Sequence, residues 1–106
     1  MPSEIWTDAE KKIARRVFEA ALHRELAEVM AEFKSTAANA KQPDDMWAVE
    51  EYLAQTRRYI DAKCDYRYSQ LNLVFGKLLR EKRIEARELK GLAEEKLSYI
   101  HRVASL

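Results

Sequence analysis

Few side chains in this sequence have the types and spacing that metal chemistry requires. Two histidines are present, and Glu19 lies four residues before His23, but no second His or Cys stands at ligand spacing. The Glu-x-x-His pattern of carboxylate-bridged helical bundles is absent, because Ala20 and Ser98 occupy the required positions. We therefore interpret the histidines as solvated or helix-capping side chains. The sequence predicts no metal and no cofactor.

The sequence also lacks the surroundings that a catalytic nucleophile needs. No Ser or Cys lies in a Gly-rich elbow, and a chain with 2 glycines can hardly build a phosphate-cradling loop. We therefore expect no enzymatic activity. Cys64 falls on an apolar helical stripe, which favours a place in the core. Because a single cysteine cannot form an internal disulfide, and neither a signal peptide nor a membrane span is recognisable, we expect a cytoplasmic protein.

The charged residues are balanced in number and spread along the chain. The 19 basic and 18 acidic residues give a formal net charge of +1. Basic residues cluster twice, at Lys11, Lys12, Arg15 and Arg16 and again at Arg80, Lys82 and Arg83. Each cluster has acidic neighbours such as Glu19 and Glu81, so a solvated face is favoured over a nucleic-acid footprint. We expect neither nucleic acid nor membrane insertion.

The elements that carry these residues are predicted to be helices. Only 2 Gly and 2 Pro are available for turns, which excludes an all-β fold. Thr7 and Glu10 form a capping box, and a helical apolar period then continues from Asp8 to about Ala38. The second helix is capped by Asp44 or Asp45. Its apolar stripe runs without a breaker up to Gly76 and continues to Leu79, and two short helical pieces follow over 85–90 and 92–103.

The lengths of these helices predict how the protein assembles. At 1.5 Å per residue, each long helix spans roughly 45 to 50 Å, whereas a compact domain of this size is about 26 Å across. Two such helices would leave apolar strips in water unless a second copy covered them. We expect one domain over 1–106. Its class is all-α, with two long antiparallel helices, short C-terminal helices and an elongated homodimer. The predicted dimer interface contains Phe33, Met46, Val49 and Leu53.

Trp47 is the residue that a purely structural role explains least well. With Trp47 at zero on a helical wheel, Glu50, Glu51 and Arg57 lie at roughly −60°, +40° and −80°, and the apolar stripe is centred roughly opposite. A large aromatic flanked by charges is typical of an interface for a partner protein. The alternative is that a tail helix of the same subunit covers Trp47.

The order of residues in the middle and tail of the chain resembles a known family. The middle blocks are Asp44-Asp45-Met46-Trp47, Leu53, Arg57-Arg58-Tyr59-Ile60-Asp61-x-Lys63, Tyr66-Arg67-Tyr68-Ser69 and Val74-Phe75-Gly76-x-Leu78-Leu79-Arg80-Glu81. The tail block is Glu88-Leu89-x-Gly91-Leu92-x3-Lys96-Leu97-x2-Ile100. Together they resemble the fluorescence recovery protein family of cyanobacteria, over about residues 10 to 100.

The resemblance implies a regulatory binding protein. Members of the family are all-helical dimers that bind the C-terminal domain of the orange carotenoid protein, preferentially in its red, light-activated form. They speed its return to the orange form and help to detach it from the phycobilisome, so that antenna fluorescence recovers. No covalent chemistry is involved, because the helper only favours one arrangement of its partner.

The resemblance also implies which residues contact the partner. Trp47 and Arg57 match the family's functional patch, whereas Glu50 stands where the family typically has His and Glu51 where it has Asp. A fixed anion at position 50 weakens complementarity to an acidic partner surface. Phe75 and Lys96 are expected in a second contact region near the tail. The alternative function is a family-like dimeric adaptor or scaffold with a different partner.

Overall fold

The first helix begins and ends at the predicted residues. In the computed structural model, which describes residues 5–106, α1 runs from Asp8 to Ala38. The capping box that starts it is complete. The Glu10 N–H donates to Thr7 Oγ1 at 3.1 Å, and the Thr7 N–H donates to Glu10 Oε1 at 3.0 Å. These bonds satisfy donors that the helix itself cannot pair, so the position of its first turn is set locally.

The start of the second helix corrects the predicted cap. Helix α2 spans Pro43–Lys63, and its N-cap is Gln42, not Asp44 or Asp45. Gln42 has an extended backbone because the residue before proline avoids helical geometry. Asp45 instead occupies the third position of α2, where its carboxylate accepts hydrogen bonds from the N–H groups of Lys41 and Gln42 at 2.9 and 3.0 Å.

The end of α2 corrects the prediction of a second helix that continues to Leu79. The helix stops at Lys63 after 21 residues, and an irregular segment leads to α3 at Leu71–Arg80. The apolar periodicity predicted one continuous helix because it reflects local spacing, whereas tertiary contacts decide where a helix ends. The bend lets Tyr66 pack edge-on against Phe18, with ring centroids 4.8 Å apart, and brings apolar residues of α3 into one core with those of α1.

The hydrophobic core lies at one end of the molecule. The first part of α1, helix α3, a 3-10 turn at Ala86–Leu89 and helix α4 at Glu94–Ala104 enclose it. The largest fully buried side chains are Phe75, Leu71, Leu78, Leu89, Ile100 and Val17. Helices α3 and α4 approach closely at Gly76, where an added Cβ would lie 2.4 Å from Val103 Cβ. We call this unit, residues 5–25 and 61–106, the head.

The remaining residues form a helical hairpin that projects from the head. This arm, residues 26–60, pairs the end of α1 with most of α2, and the molecule measures 54 × 24 × 20 Å. The radius of gyration of 16.7 Å exceeds the about 13 Å of a compact chain of this length. The described residues contain only helices, turns and one isolated bridge, so the predicted all-helical class is confirmed, although only α1 is as long as expected. None of these helices is both long and apolar enough to cross a membrane.

Candidate protein-binding site

Trp47 lies on the outer surface of the arm, in the first turns of α2. Its side chain is 59% exposed, and the adjacent Met46 is 56% exposed. The C-terminal helix α4 packs against α3 in the head instead of reaching the arm. The alternative that a tail helix of the same subunit covers Trp47 is therefore wrong. A large aromatic side chain left in water on a helix surface is typical of a site that another molecule covers.

The charged residues predicted around Trp47 are exposed as well. Glu51 accepts a hydrogen bond from Gln55 at 2.7 Å and lies 3.9 Å from Arg58, and Arg57 lies 3.7 Å from Asp61. Each of these ion pairs is well exposed, so each contributes about 0 to 1 kcal/mol at most. The side chains can therefore exchange these contacts for contacts with a partner at little cost.

Glu50 differs from the other charged residues of this surface. Its carboxylate is exposed and forms no ion pair with any residue in the range 5–106. It is thus a single uncompensated negative charge one helical turn from Trp47. A partner group facing this position meets a net anion.

The residues predicted for a dimer interface follow the length of the arm. Phe33, Val49 and Leu53 are half-buried between α1 and α2, and Met46 projects further outward. Two apolar grooves lie between the helices. One is lined by Leu26, Val29, Leu53, Thr56, Arg57, Ile60 and Asp61, and the other by Thr36, Asn39, Ala40, Asp45, Ala48, Val49 and Tyr52. The arm therefore presents apolar surface that no element of residues 5–106 covers.

Phe75 and Lys96 do not occupy the surface positions that a second contact region requires. Phe75 is fully buried in the core of the head, and Lys96 is only 2% exposed. The Lys96 ammonium donates to both oxygens of Glu10 at 3.0 Å and to the Ile5 carbonyl at 2.7 Å. The expectation that these two side chains contact a partner is therefore corrected. Phe75 packs in the core, and Lys96 is buried and hydrogen-bonded within the head.

The pair formed by Lys96 and Glu10 joins the start of α1 to the start of α4. Besides the N–H of Thr7, the Glu10 carboxylate accepts a hydrogen bond from the Ala93 N–H at 2.9 Å, and the Trp6 ring centroid lies 4.8 Å from the ammonium. Burial alone would raise the pKa of Glu10. The hydrogen bonds from Thr7 and Ala93, together with Lys96, outweigh burial and hold this pKa below its usual value.

A second cluster, centred on the buried pair Lys63 and Glu25, lies where the arm meets the head. The Lys63 ammonium lies 2.7 Å from Glu25 and 2.7 Å from Glu81, and Arg83 Nε lies 3.0 Å from Glu81. The Tyr59 hydroxyl also donates to Glu81. Burial would lower the pKa of Lys63, but the two carboxylates raise it, so the ammonium stays charged. We call these five residues the junction cluster.

Sequence reasoning missed both buried clusters. Lys63 and Glu25 are 38 residues apart, and Lys96 and Glu10 are 86 residues apart. The capping box was the only local signal, and it identified Glu10 as a cap without indicating its contact with Lys96. A lone Lys or Glu within a helical pattern is normally solvated, so composition gave no reason to expect these four in the interior.

The described residues offer no group of three or more His, Cys, Asp and Glu side chains that could hold a metal ion. His23 and His101 are both exposed. Cys64 is half-buried at the end of α2, and burial raises the pKa of its thiol, which favours the less reactive protonated form.

Comparison with known proteins agrees with this geometry. Residues 6–104 match the family described as the photoprotection regulator fluorescence recovery protein. The chain belongs to this family. The resemblance noted in the sequence is thus confirmed, and the family is one of regulators. The fluorescence recovery protein of Synechocystis sp. (strain PCC 6803) is 38% identical over 101 residues, which cover 95% of this chain and 93% of that protein.

Solved structures of fluorescence recovery proteins share the fold. The protein from Fremyella diplosiphon superimposes with a TM-score of 0.92 at 31% identity, covering 96% of this chain and 100% of that chain. The protein from Synechocystis sp. PCC 6803 superimposes with a TM-score of 0.91 at 37% identity and the same coverage. This chain therefore shares its overall fold, including the bend between α2 and α3, with solved fluorescence recovery proteins.

Proposed function

We propose that this chain is a non-catalytic regulator that acts in the cytoplasm as a homodimer on the orange carotenoid protein. It binds the C-terminal domain of the photoactivated red form, accelerates reversion to the orange form and so ends the quenching of phycobilisome fluorescence. The observation that carries the proposal is the exposed Trp47, flanked by charged residues, in a member of a family of photoprotection regulators.

The arm supplies the surface for the homodimer. Leu26, Met30 and Met46 are each about half exposed in the single chain, and the grooves between α1 and α2 are largely apolar. Burying apolar surface stabilises by about 25 cal/mol per Å², so covering this arm with a second copy is favourable. Two arms packed together also bring two copies of Trp47 into one assembly.

The patch around Trp47 supplies the surface for the partner. Trp47 and Arg57 are of the residue types that dominate binding energy at protein interfaces, and Glu50 and Glu51 form its charged rim. Acceleration needs no bond to be made or broken. The regulator must only bind the transition state between the red and orange forms more tightly than it binds the red form. A difference of about 1.4 kcal/mol between these two binding free energies gives a tenfold faster decay.

The test is to follow the red-to-orange decay of photoactivated orange carotenoid protein by absorbance, with and without excess of this protein. We expect a faster decay with the wild-type chain and a loss of most of the acceleration with Trp47→Ala. Tyr99→Ala is the matched control, because Tyr99 is an exposed aromatic residue on α4 in the head. An unchanged decay in the presence of excess wild-type dimer contradicts the proposal.

A second candidate function is a dimeric adaptor with a different partner and little activity on the orange carotenoid protein. The observation that favours it is the uncompensated carboxylate of Glu50 beside Trp47. Glu50→His separates the two candidates. If the orange carotenoid protein is the partner, removing the fixed anion raises the acceleration. If the wild-type chain and Glu50→His are both inactive while both remain dimeric, the adaptor is the better description.

A further inference from the structure

One side of the head carries basic side chains that the rest of the head does not neutralise. Lys12 and Arg16 are exposed on α1 and form no ion pair with a carboxylate of residues 5–106, and Arg16 donates one long hydrogen bond, of 3.4 Å, to the Glu88 carbonyl. Arg15 pairs only with Glu19, at 3.5 Å and with both side chains about 60% exposed, which contributes little. By contrast, Arg24 and Arg83 are held by carboxylates at short distances. The basic side chains of this first part of α1 are thus available to a partner.

Aromatic rings hold some of these basic groups in place. The Arg15 guanidinium lies 4.3 Å from the centroid of the Tyr66 ring, and the Lys11 ammonium lies 5.4 Å from that of Tyr68. Phe18 in turn fixes Tyr66 from the side. An arginine stacked on a ring keeps N–H donors free and loses less side-chain entropy on binding. We define the basic head face as Lys11, Lys12, Arg15, Arg16, Tyr66 and Tyr68.

The head carries a net positive charge and the arm a net negative charge. The described head contains fifteen Lys and Arg against eleven Asp and Glu, whereas the arm contains four Lys and Arg against six Asp and Glu. Two ends of opposite sign on a molecule 54 Å long orient it in the field of a partner. The head is therefore the end that an acidic surface attracts.

We propose that the basic head face is a second docking surface, which binds a cluster of Asp and Glu side chains on the protein that the arm regulates. This inference rests on the proposed function, because it gives the regulated protein two contacts at opposite ends of the regulator. The guanidinium groups of Arg15 and Arg16 can each bind a carboxylate through two parallel N–H donors. Electrostatic contacts of this kind raise association rates more than they slow dissociation.

The size of the basic head face favours a protein over a nucleic acid. Residues 11–16 extend over roughly 8 Å of helix. Double-stranded DNA presents one charge per about 1.7 Å, and its binding proteins typically make many phosphate contacts along an extended basic surface. A compact group of carboxylates on a folded partner matches four basic groups over this short length of helix.

The first test measures binding kinetics to photoactivated orange carotenoid protein. Lys12→Glu combined with Arg16→Glu reverses two of the four charges and so removes the net positive charge of the basic head face. Lys77→Glu combined with Arg102→Glu is a control with the same change of net charge on α3 and α4. We expect about a tenfold lower association rate constant for the first variant at low salt, with the difference shrinking at high salt, and a change below about twofold for the control. Equal losses in both variants would overturn the proposal.

The second test does not depend on the orange carotenoid protein. NMR chemical shifts of the wild-type dimer are followed on addition of a ten-residue oligoglutamate peptide. We expect the shifts to concentrate on the basic head face and to disappear in the charge-reversed variant. Shifts of equal size at Lys77, Lys90 and Arg102, or tighter binding to duplex DNA or to anionic vesicles at about 150 mM salt, contradict the inference. If the wild-type chain fails to accelerate reversion but the shifts map as expected, only the proposed function is rejected.

Discussion

At the scale of single residues, the most informative side chains are the charged ones in the interior. Glu10, Glu25, Lys63 and Lys96 are each almost fully buried, and each has its opposite charge within 3.0 Å. A buried charge is tolerated only when a partner and hydrogen bonds replace the lost water. These four residues therefore fix which segments of the chain meet, and removing one partner of a pair is far more costly than removing an exposed ion pair.

Glu10→Gln is expected to destabilise the protein by about 2 to 4 kcal/mol, because it leaves the Lys96 ammonium without a negative partner in the interior. The measurement is urea unfolding at neutral pH and fixed protein concentration. Glu19→Gln is the matched control, since Glu19 forms an exposed ion pair with Arg15 in the same helix. A change of less than 0.5 kcal/mol is expected there, in line with a value of about 0 to 1 for exposed pairs. Equal effects of both changes would contradict this assignment.

Protonation of the Glu10 carboxylate at low pH should destabilise the head. The pKa of Glu10 in the folded protein is below its usual value, so the stabilisation is present above the unfolded pKa and is lost as pH falls through the folded pKa. Glu81 and Glu88 have lowered pKa values as well. We expect unfolding free energy to fall steadily below about pH 4.5, the ordinary range of a Glu carboxyl. The slope should be shallower in Glu10→Gln, and an identical slope would show that Glu10 does not contribute.

Lys82 is a residue in a backbone conformation that suits glycine. It follows α3 with φ of 61°, and the next N–H, that of Arg83, returns to the Leu78 carbonyl at 2.9 Å. Lys82→Gly is expected to stabilise the protein by about 0.5 to 1 kcal/mol, because the side chain no longer strains a left-handed residue. Lys90→Gly is the control, since Lys90 has φ of −57° and gains nothing from glycine. Thermal unfolding of both variants measures the difference, and a destabilised Lys82→Gly would refute the interpretation.

At the scale of the elements, the contact between α3 and α4 depends on a missing side chain. The two helices pack at Gly76, where a Cβ would lie 2.4 Å from Val103 Cβ and 2.5 Å from its Cγ1. Atoms cannot approach so closely, so any side chain at this position must separate the helices. Glycine in the middle of α3 costs about 1 kcal/mol of helix propensity relative to alanine, and the close approach of the two helices is what it permits in return.

Gly76→Ala is therefore expected to destabilise the head by about 1 to 3 kcal/mol, although alanine is the better helix former. Val103→Gly removes the opposing Cβ together with its methyl groups, and by itself it lowers stability by leaving a cavity and lowering helix propensity. The two changes together should cost less than the sum of the single changes, because each relieves the other. Urea unfolding of the three variants tests this, and strict additivity would mean that the helices do not meet at this point.

At the scale of the whole molecule, the arm is the part that exposes large apolar side chains. The core lies in the head, while the arm exposes Met30, Met46 and Trp47 on a hairpin that contacts the head at its base, where Arg83 pairs with Glu28. Charge is distributed along the same long axis, with a basic head and an acidic arm. The shape thus suits a protein that contacts its partners at both ends.

Met46→Glu is expected to convert the dimer to a monomer, because it places a charge within the proposed apolar interface. Sedimentation velocity at micromolar concentration measures the change. Tyr99→Glu, on an exposed position of the head, should leave the dimer intact. A wild-type chain that sediments as a monomer at about 10 μM would contradict the homodimer, since stable interfaces of standard size hold at this concentration.

The sequence by itself determined those features that depend on neighbours within a few residues. The helical class, both ends of α1 and the outward position of Trp47 follow from capping, proline and the 3.6-residue period, which act locally. Only the tertiary structure decided where α2 ends and where Phe75 and Lys96 lie. Those outcomes depend on contacts such as Lys63 with Glu25 and Lys96 with Glu10, across 38 and 86 residues. The bend after α2 brings Tyr66 against Phe18 and α3 into the core with α1, and the burial of apolar surface between such distant segments leaves no local pattern in the sequence.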